Sequence, residues 1–133
     1  VELLKGVHDF TATTGDTYKI ALYDSDATLG ASTTAFSTSE EITNTSGSAY
    51  TSGGATLTSV TPVASSTTAI CDFSDVSFSS ASFTANGALI YNSSESNKAV
   101  CAIAFGSDKT ATNGTFTIQF PTADATNAII RLA

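Results

Sequence analysis

The most restrictive feature of this chain is a succession of short apolar–polar alternations, each closed by turn-forming residues. In TFTIQFP, Phe116, Ile118 and Phe120 alternate with Thr115, Thr117 and Gln119, the two-residue period of a strand with one buried face. In TGDTYKIALYDSD, Tyr18, Ile20 and Leu22 point one way and Lys19, Ala21 and Tyr23 the other. Gly15-Asp16 precedes this run and Asp24-Ser25-Asp26 follows it, which is turn chemistry. LTSVTPV alternates until Pro62, which suits an edge position or a strand end. TTAICDF sets Ala69, Cys71 and Phe73 against Thr68, Ile70 and Asp72. Strand text continues in DVSFSSASFTANG, ALIYNSS, AVCAIAF and the final AIIRLA. Asn86-Gly87 predicts a tight hairpin turn, SSESNK a polar loop, and GSDKTATNG a long turn ending at Asn113-Gly114. The one helical candidate is the opening VELLKGVHDF, where Leu3, Leu4 and Val7 would share a face. Gly6 limits it to a turn or two. Roughly six to nine short strands at a spacing of about 8–12 residues predict an all-β fold. The form expected is an antiparallel β-sandwich or jelly roll with a short N-terminal helical or arm segment over 1–14.

Some of these strands have no evident wet face. Ala88, Leu89, Ile90 and Tyr91 are all apolar or aromatic, AVCAIAF is more so, and AIIRLA is similar. A sandwich strand has one face inside and one outside, so the outer faces need a cover. The N-terminal segment, the long loop at 27–55 and a neighbouring subunit are the three candidates. Small Ala99, Ala102 and Ala104 would let another surface approach closely.

At 133 residues the chain fits one domain, 1–133, able to remove about two-thirds of its unfolded surface from water. Charged residues make up 13%, against a usual share of about 25%. Ser and Thr fill the gap with about a third of the chain, favouring strands and turns. Segment 27–55 is the richest in Ser, Thr and Gly. Its isolated Phe36, Ile42 and Tyr50 suggest an ordered loop or short edge strands laid over a sheet. The net charge of −7 and the scattering of Lys5, Lys19, Lys98, Lys109 and Arg131 argue against nucleic acid and anionic membrane surfaces as partners. No apolar run approaches the ~20 residues that span a bilayer.

Chemical signatures are sparse. His8 is the single histidine and adjoins Asp9, but no G-x-S-x-G elbow accompanies it, so a surface or packing role is expected. Glu40 and Glu41 are adjacent and would point to opposite faces of a strand. Asp72 and Asp75 flank a strand boundary, where acids usually form turns. Asp24-Ser25-Asp26 begins like a calcium loop, but Leu29 and Ala35 occupy the sixth and twelfth positions, where Gly and Glu are required. Tyr18, Tyr23, Tyr50 and Tyr91 could stack a sugar ring. Sequons begin at Asn44, Asn92 and Asn113, as expected from composition alone. Cys71 and Cys101 read as small buried hydrophobes, with a disulfide between neighbouring strands as the alternative. No catalytic residue, metal ligand or cofactor is expected.

Three segments together carry a resemblance: KIALYDSDATLGASTTAF, then SGSAYTSGGATLTSVTP, then FTANGALIYNSSESNKAVCAIAFGSDKTATNGTFTIQFP. With the opening ELL-G and the closing AIIRLA, the chain resembles a family of small virion structural proteins of tailed bacteriophages. The likeness lies in framework text and includes no catalytic signature. It implies a non-enzymatic capsid decoration (cement) protein on the virion exterior, assembled in the host cytoplasm. Its expected partners are the major capsid protein and further copies of itself, as a dimer or trimer. A tail or fibre component is the first alternative, and a bacterial surface adhesin or carbohydrate-binding module the second. The apolar termini and small outward residues are the candidate interface: Leu3, Leu4, Val7, Ala102, Ala104, Ile129, Ile130 and Leu132.

Overall fold

The computed structural model describes residues 2–43 and 49–133. Among the described residues, a single 3-10 turn at Leu3–Lys5 is followed by seven strands: β1 (Tyr18–Tyr23), β2 (Ala55–Thr56), β3 (Ser59–Ser65), β4 (Thr68–Phe73), β5 (Val76–Asn92), β6 (Lys98–Ile118) and β7 (Ile130–Leu132). They form two antiparallel sheets, ordered β2-β1-β5-β6 and β3-β4-β7. The fold is therefore an all-β sandwich, as the alternation predicts. The opening turn stops at Gly6, whose φ of 69° is the left-handed C-cap that glycine adopts without strain. Leu3, Leu4 and Val7 do not share a face, because one 3-10 turn is too short to align them: Leu3 packs on the core while Leu4 is 82% exposed.

β1 lies between β2 and β5, with Tyr18 opposite Asn92 and Tyr23 opposite Gly87. Its two faces feed two apolar clusters. Tyr18, Ile20 and Leu22 enter the main core between the sheets, together with Ala88 and Ile90 of β5. Aromatic rings fill that core; Phe10 stacks on Tyr18 at 4.5 Å and Phe73 leans on both. Ala21, Tyr23, Leu89 and Tyr91 face the other way and form a second cluster with Ala27, Leu29, Phe36 and Ala99. The second face of ALIY is thus covered from within the chain, by the early part of the Ser/Thr-rich loop. Phe36 stacks on Tyr91 with ring centroids 4.6 Å apart. The loop is pinned there by hydrogen bonds from Phe36 N to Asn97 O and from Ala99 N to Thr34 O. Ile42 and Tyr50 enter the main core instead, and 44–48 lie outside the described residues.

Neither Asn-Gly pair reverses the chain. β5 runs straight through Asn86-Gly87, and β6 runs through 106–114. The turn residues serve as bulges. Ala85 pairs with Lys109 and Gly87 with Ala104, so Asn86 stands against four residues of β6. Gly106 within them has a φ of 77°. Asn113 sits in a second irregularity with φ 48°, held by a bond from its N–H to Ser82 Oγ. The reversal falls at the polar loop 93–97, where Ser96 and Asn97 carry the positive φ angles. One irregular hairpin of 17 and 21 residues thus replaces the several short strands expected there. Bulges let it twist enough to follow the core.

Candidate functional site

The termini bring part of the sequence-predicted interface together. Leu3, Ile130 and Leu132 line a crevice of about 130 Å³ with Pro62 and Ile70. β7 pairs with β4, Cys71 opposite Ile130 and Ala69 opposite Leu132, and this pairing carries the chain end to the opening turn. Leu132 is 52% exposed, as is Val63 of β3 at 53%. Ile129 lies elsewhere, in a larger apolar groove of about 560 Å³ with Ile103, Phe105, Phe116, Ile118 and Phe120. Among the described residues, Lys109 is the one charged residue lining that groove. Ala102 and Ala104 are exposed and border hollows beside Leu29 and Gly30. Val7 is half-buried. The eight candidates therefore fall on separate surfaces, and only the two chain ends converge.

The polar residues form closed constellations. His8 is a packing residue, as expected, with its side chain 3% exposed. Asn92 is fully buried; its Oδ1 accepts from Ser94 N and Glu95 N. Its Nδ2 donates to Asp16 Oδ2 at 2.7 Å and lies 3.1 Å from His8 Nδ1. Beyond the ring, His8 Nε2 is 3.8 Å from Glu2 Oε2, and Lys98 Nζ is 3.2 Å from Glu2 Oε1. These contacts tie the opening segment to the β5–β6 turn; they do not form a Ser–His–Asp arrangement. Asn92, the second sequon, has its amide fully engaged, whereas Asn113 is exposed. Asn44 lies outside the described residues.

Glu41 is the second constellation. It is 7% exposed, and its carboxylate accepts from Tyr50 Oη, Gly53 N and Ser52 Oγ at 2.6–2.7 Å. The Tyr50 hydroxyl in turn accepts from Leu22 N at 3.0 Å. Glu40 is not on a strand, as the adjacency reading requires, but exposed in a turn with φ 59°, with ligand-capable oxygens of Asp24, Asp26 and Glu40 within 4.8 Å of one another. Asp72 is 1% exposed and fixed through Oδ1 to Phe73 N; its Oδ2 has no protein partner. Asp75 accepts from Phe120 N, ordering the chain after β6.

Burial also decides the tyrosines and thiols. All four tyrosines are at most 2% exposed, so none offers a face for stacking a sugar. Burial raises their phenols, Tyr91 to about 12. Cys71 and Cys101 are free, and burial raises their thiols to about 12 and about 11. Sequence reasoning did not find the groove at Ile103–Phe116 or the roles of Asn92 and Asp16. A helical opening turn with a lone histidine gave no sign of a partner 84 residues away.

These features define an all-β sandwich with apolar surface at its chain ends and along β6, and with buried His8, Asn92 and Glu41 tied into structural clasps. Comparison with family models, curated proteins and solved structures returns no match.

Proposed function

We propose that this chain is a non-enzymatic virion structural protein, a capsid decoration protein that binds the outer surface of the shell. The observation that carries the reading is the meeting of the opening turn with β7: Leu3, Ile130, Leu132 and Pro62 form one apolar patch, separate from the groove along β6. Interface cores are depleted in charge, and among the described residues no charged one lines this crevice. The acidic balance of −7 suits the outside of a shell rather than contact with packaged DNA. Binding that favours the expanded shell stabilises it by mass action. The resemblance of the framework segments to small tailed-phage proteins supports the same reading. The adhesin alternative loses its two supports, since both cysteines are free and the tyrosines are enclosed.

The test is the copy number in purified virions, by quantitative mass spectrometry against the major capsid protein. A ratio near one, or a simple fraction such as one-half or one-third, is expected for a lattice protein. A ratio of a few per cent would move the chain to the tail or fibres, and absence would end the virion reading. Leu132→Asp, at an exposed position of the patch, should leave folding intact and weaken binding to empty shells at least about tenfold. Unchanged binding in this variant would rule out the terminal patch.

A further inference from the structure

The amide of Asn92 has only one workable orientation. Its Oδ1 holds two backbone N–H groups, those of Ser94 and Glu95, so Nδ2 must face Asp16 and His8. One Nδ2 hydrogen goes to Asp16 Oδ2; the other points at His8 Nδ1. Hydrogen positions follow here from the network: Nδ1 accepts, and the ring proton sits on Nε2, toward Glu2. A second proton, on Nδ1, would set two donors against each other at 3.1 Å. The amide cannot turn over to relieve this without orphaning the Ser94 and Glu95 donors.

We propose that His8 is an acid-operated latch: proton uptake at Nδ1 breaks its seat against Asn92 and releases the opening segment from the β5–β6 turn. Charged groups around the ring pull in both directions. Glu2, on the same segment, is 3.8 Å from Nε2 and would favour a charged ring, but it is shared with Lys98 of β6 at 3.2 Å and its side chain is 40% exposed. Asp16 already accepts from Asn92 Nδ2 and from Asp9 N at 2.9 Å. Lys5 lines the adjoining cavity of about 590 Å³ and opposes a charged ring. Tyr18 and Phe10 present rings at 6.4 and 6.1 Å. The exposed, shared carboxylate is the weaker influence, because an unmatched buried donor loses its full solvation whereas a surface ion pair gains little. The sign follows from linkage: the released state holds the extra proton, so the docked state is favoured at higher pH and lost as pH falls. The latch does not depend on what the chain binds.

Because His8 is the single histidine, its ring nitrogens can be read without ambiguity. At pH 7.5, long-range ¹⁵N–¹H correlation should show Nε2–H and a bare Nδ1. An Nδ1–H tautomer or an imidazolium at that pH overturns the proposal. Amide exchange of Asp9 and Asp16, bonded to one another's segment, should speed up at least about tenfold between pH 7.5 and 5 after correction for intrinsic chemistry. His8→Gln keeps an acceptor for Asn92 without a titrating ring and should hold equal protection at both values. Unchanged protection in the natural chain, or the same acid loss in His8→Gln, overturns the latch. If His8→Gln does not fold, the natural chain's tautomer and exchange data decide alone.

Discussion

Removing one buried oxygen, in Tyr50→Phe, tests whether the Glu41 clasp holds the long loop on the sandwich. The ring can stay where it is, 5.5 Å from Phe78 and 5.8 Å from Phe83 between centroids, so packing is little changed. Two bonds go. Leu22 N–H, on a residue with no exposure, loses its acceptor; a buried unmatched donor costs about 1–3 kcal/mol. Glu41 loses a charge-assisted bond from a phenol, an interaction worth about 1.5–3 kcal/mol. The two do not add in full, since Gly53 N and Ser52 Oγ still hold the carboxylate. We expect a loss of about 3 kcal/mol, a large share of the ~5–15 kcal/mol that stabilises a domain. The midpoint of thermal unfolding should fall by about 10 °C. The assay is urea unfolding followed by far-ultraviolet circular dichroism and tyrosine fluorescence, the chain having no Trp. Glu41→Gln should cost less, because the amide oxygen still accepts and the Ser52 hydroxyl can turn to receive the new N–H. The double variant should show coupling of at least about 0.5 kcal/mol. A Tyr50→Phe loss within about 0.5 kcal/mol, the usual range of surface changes, would refute the reasoning: the clasp would then contribute nothing to stability.

Other substitutions read other parts of the fold. Gly54→Ala should prevent folding or cost more than about 4 kcal/mol, since a Cβ there would stand 1.8 Å from Ile20 O at a φ of 70°; soluble expression and circular dichroism report it. Phe36→Ala should cost about 1–2 kcal/mol and raise binding of a hydrophobic dye, because it uncovers Tyr91 on the second face of β5. Neither thiol should react with Ellman's reagent at pH 8 in the folded chain. Burial holds Cys71 near 12 and Cys101 near 11, so the reactive thiolate is scarce until the chain unfolds. Prompt reaction at one equivalent would show that a strand opens locally.

The strands were legible because period-two alternation is a local property of the text. β1 buries the residues that alternation assigns, Tyr18, Ile20 and Leu22, and the end of β6 turns its assigned Phe116 and Ile118 toward the same core, half-buried. The turns were less legible, because Asn and Gly supply positive φ wherever the backbone needs it, and a hairpin turn is only one such place. Gly106 and Asn113 spend that freedom on bulges within β6. Adjacent strand text then joined into one long hairpin, with its reversal at the Ser-rich loop 93–97.

The clasps were invisible for a different reason. In the sequence Asn92 reads only as a sequon at the end of ALIYNSS, yet half of it is a turn former: Oδ1 caps its own loop. The other half, Nδ2, reaches Asp16 and His8 only because β1 pairs with β5 in a register that sets Tyr18 opposite Asn92. One residue of slip would turn Asn92 to the other face and leave His8 and Asp16 without it. The same register puts Leu89 and Tyr91 on the outer face, where Phe36 must cover them. A single strand pairing therefore decides both the polar latch at the sandwich's end and the apolar cover on its back. The alternation of ALIY alone allowed several covers; the pairing with β1 selects the loop.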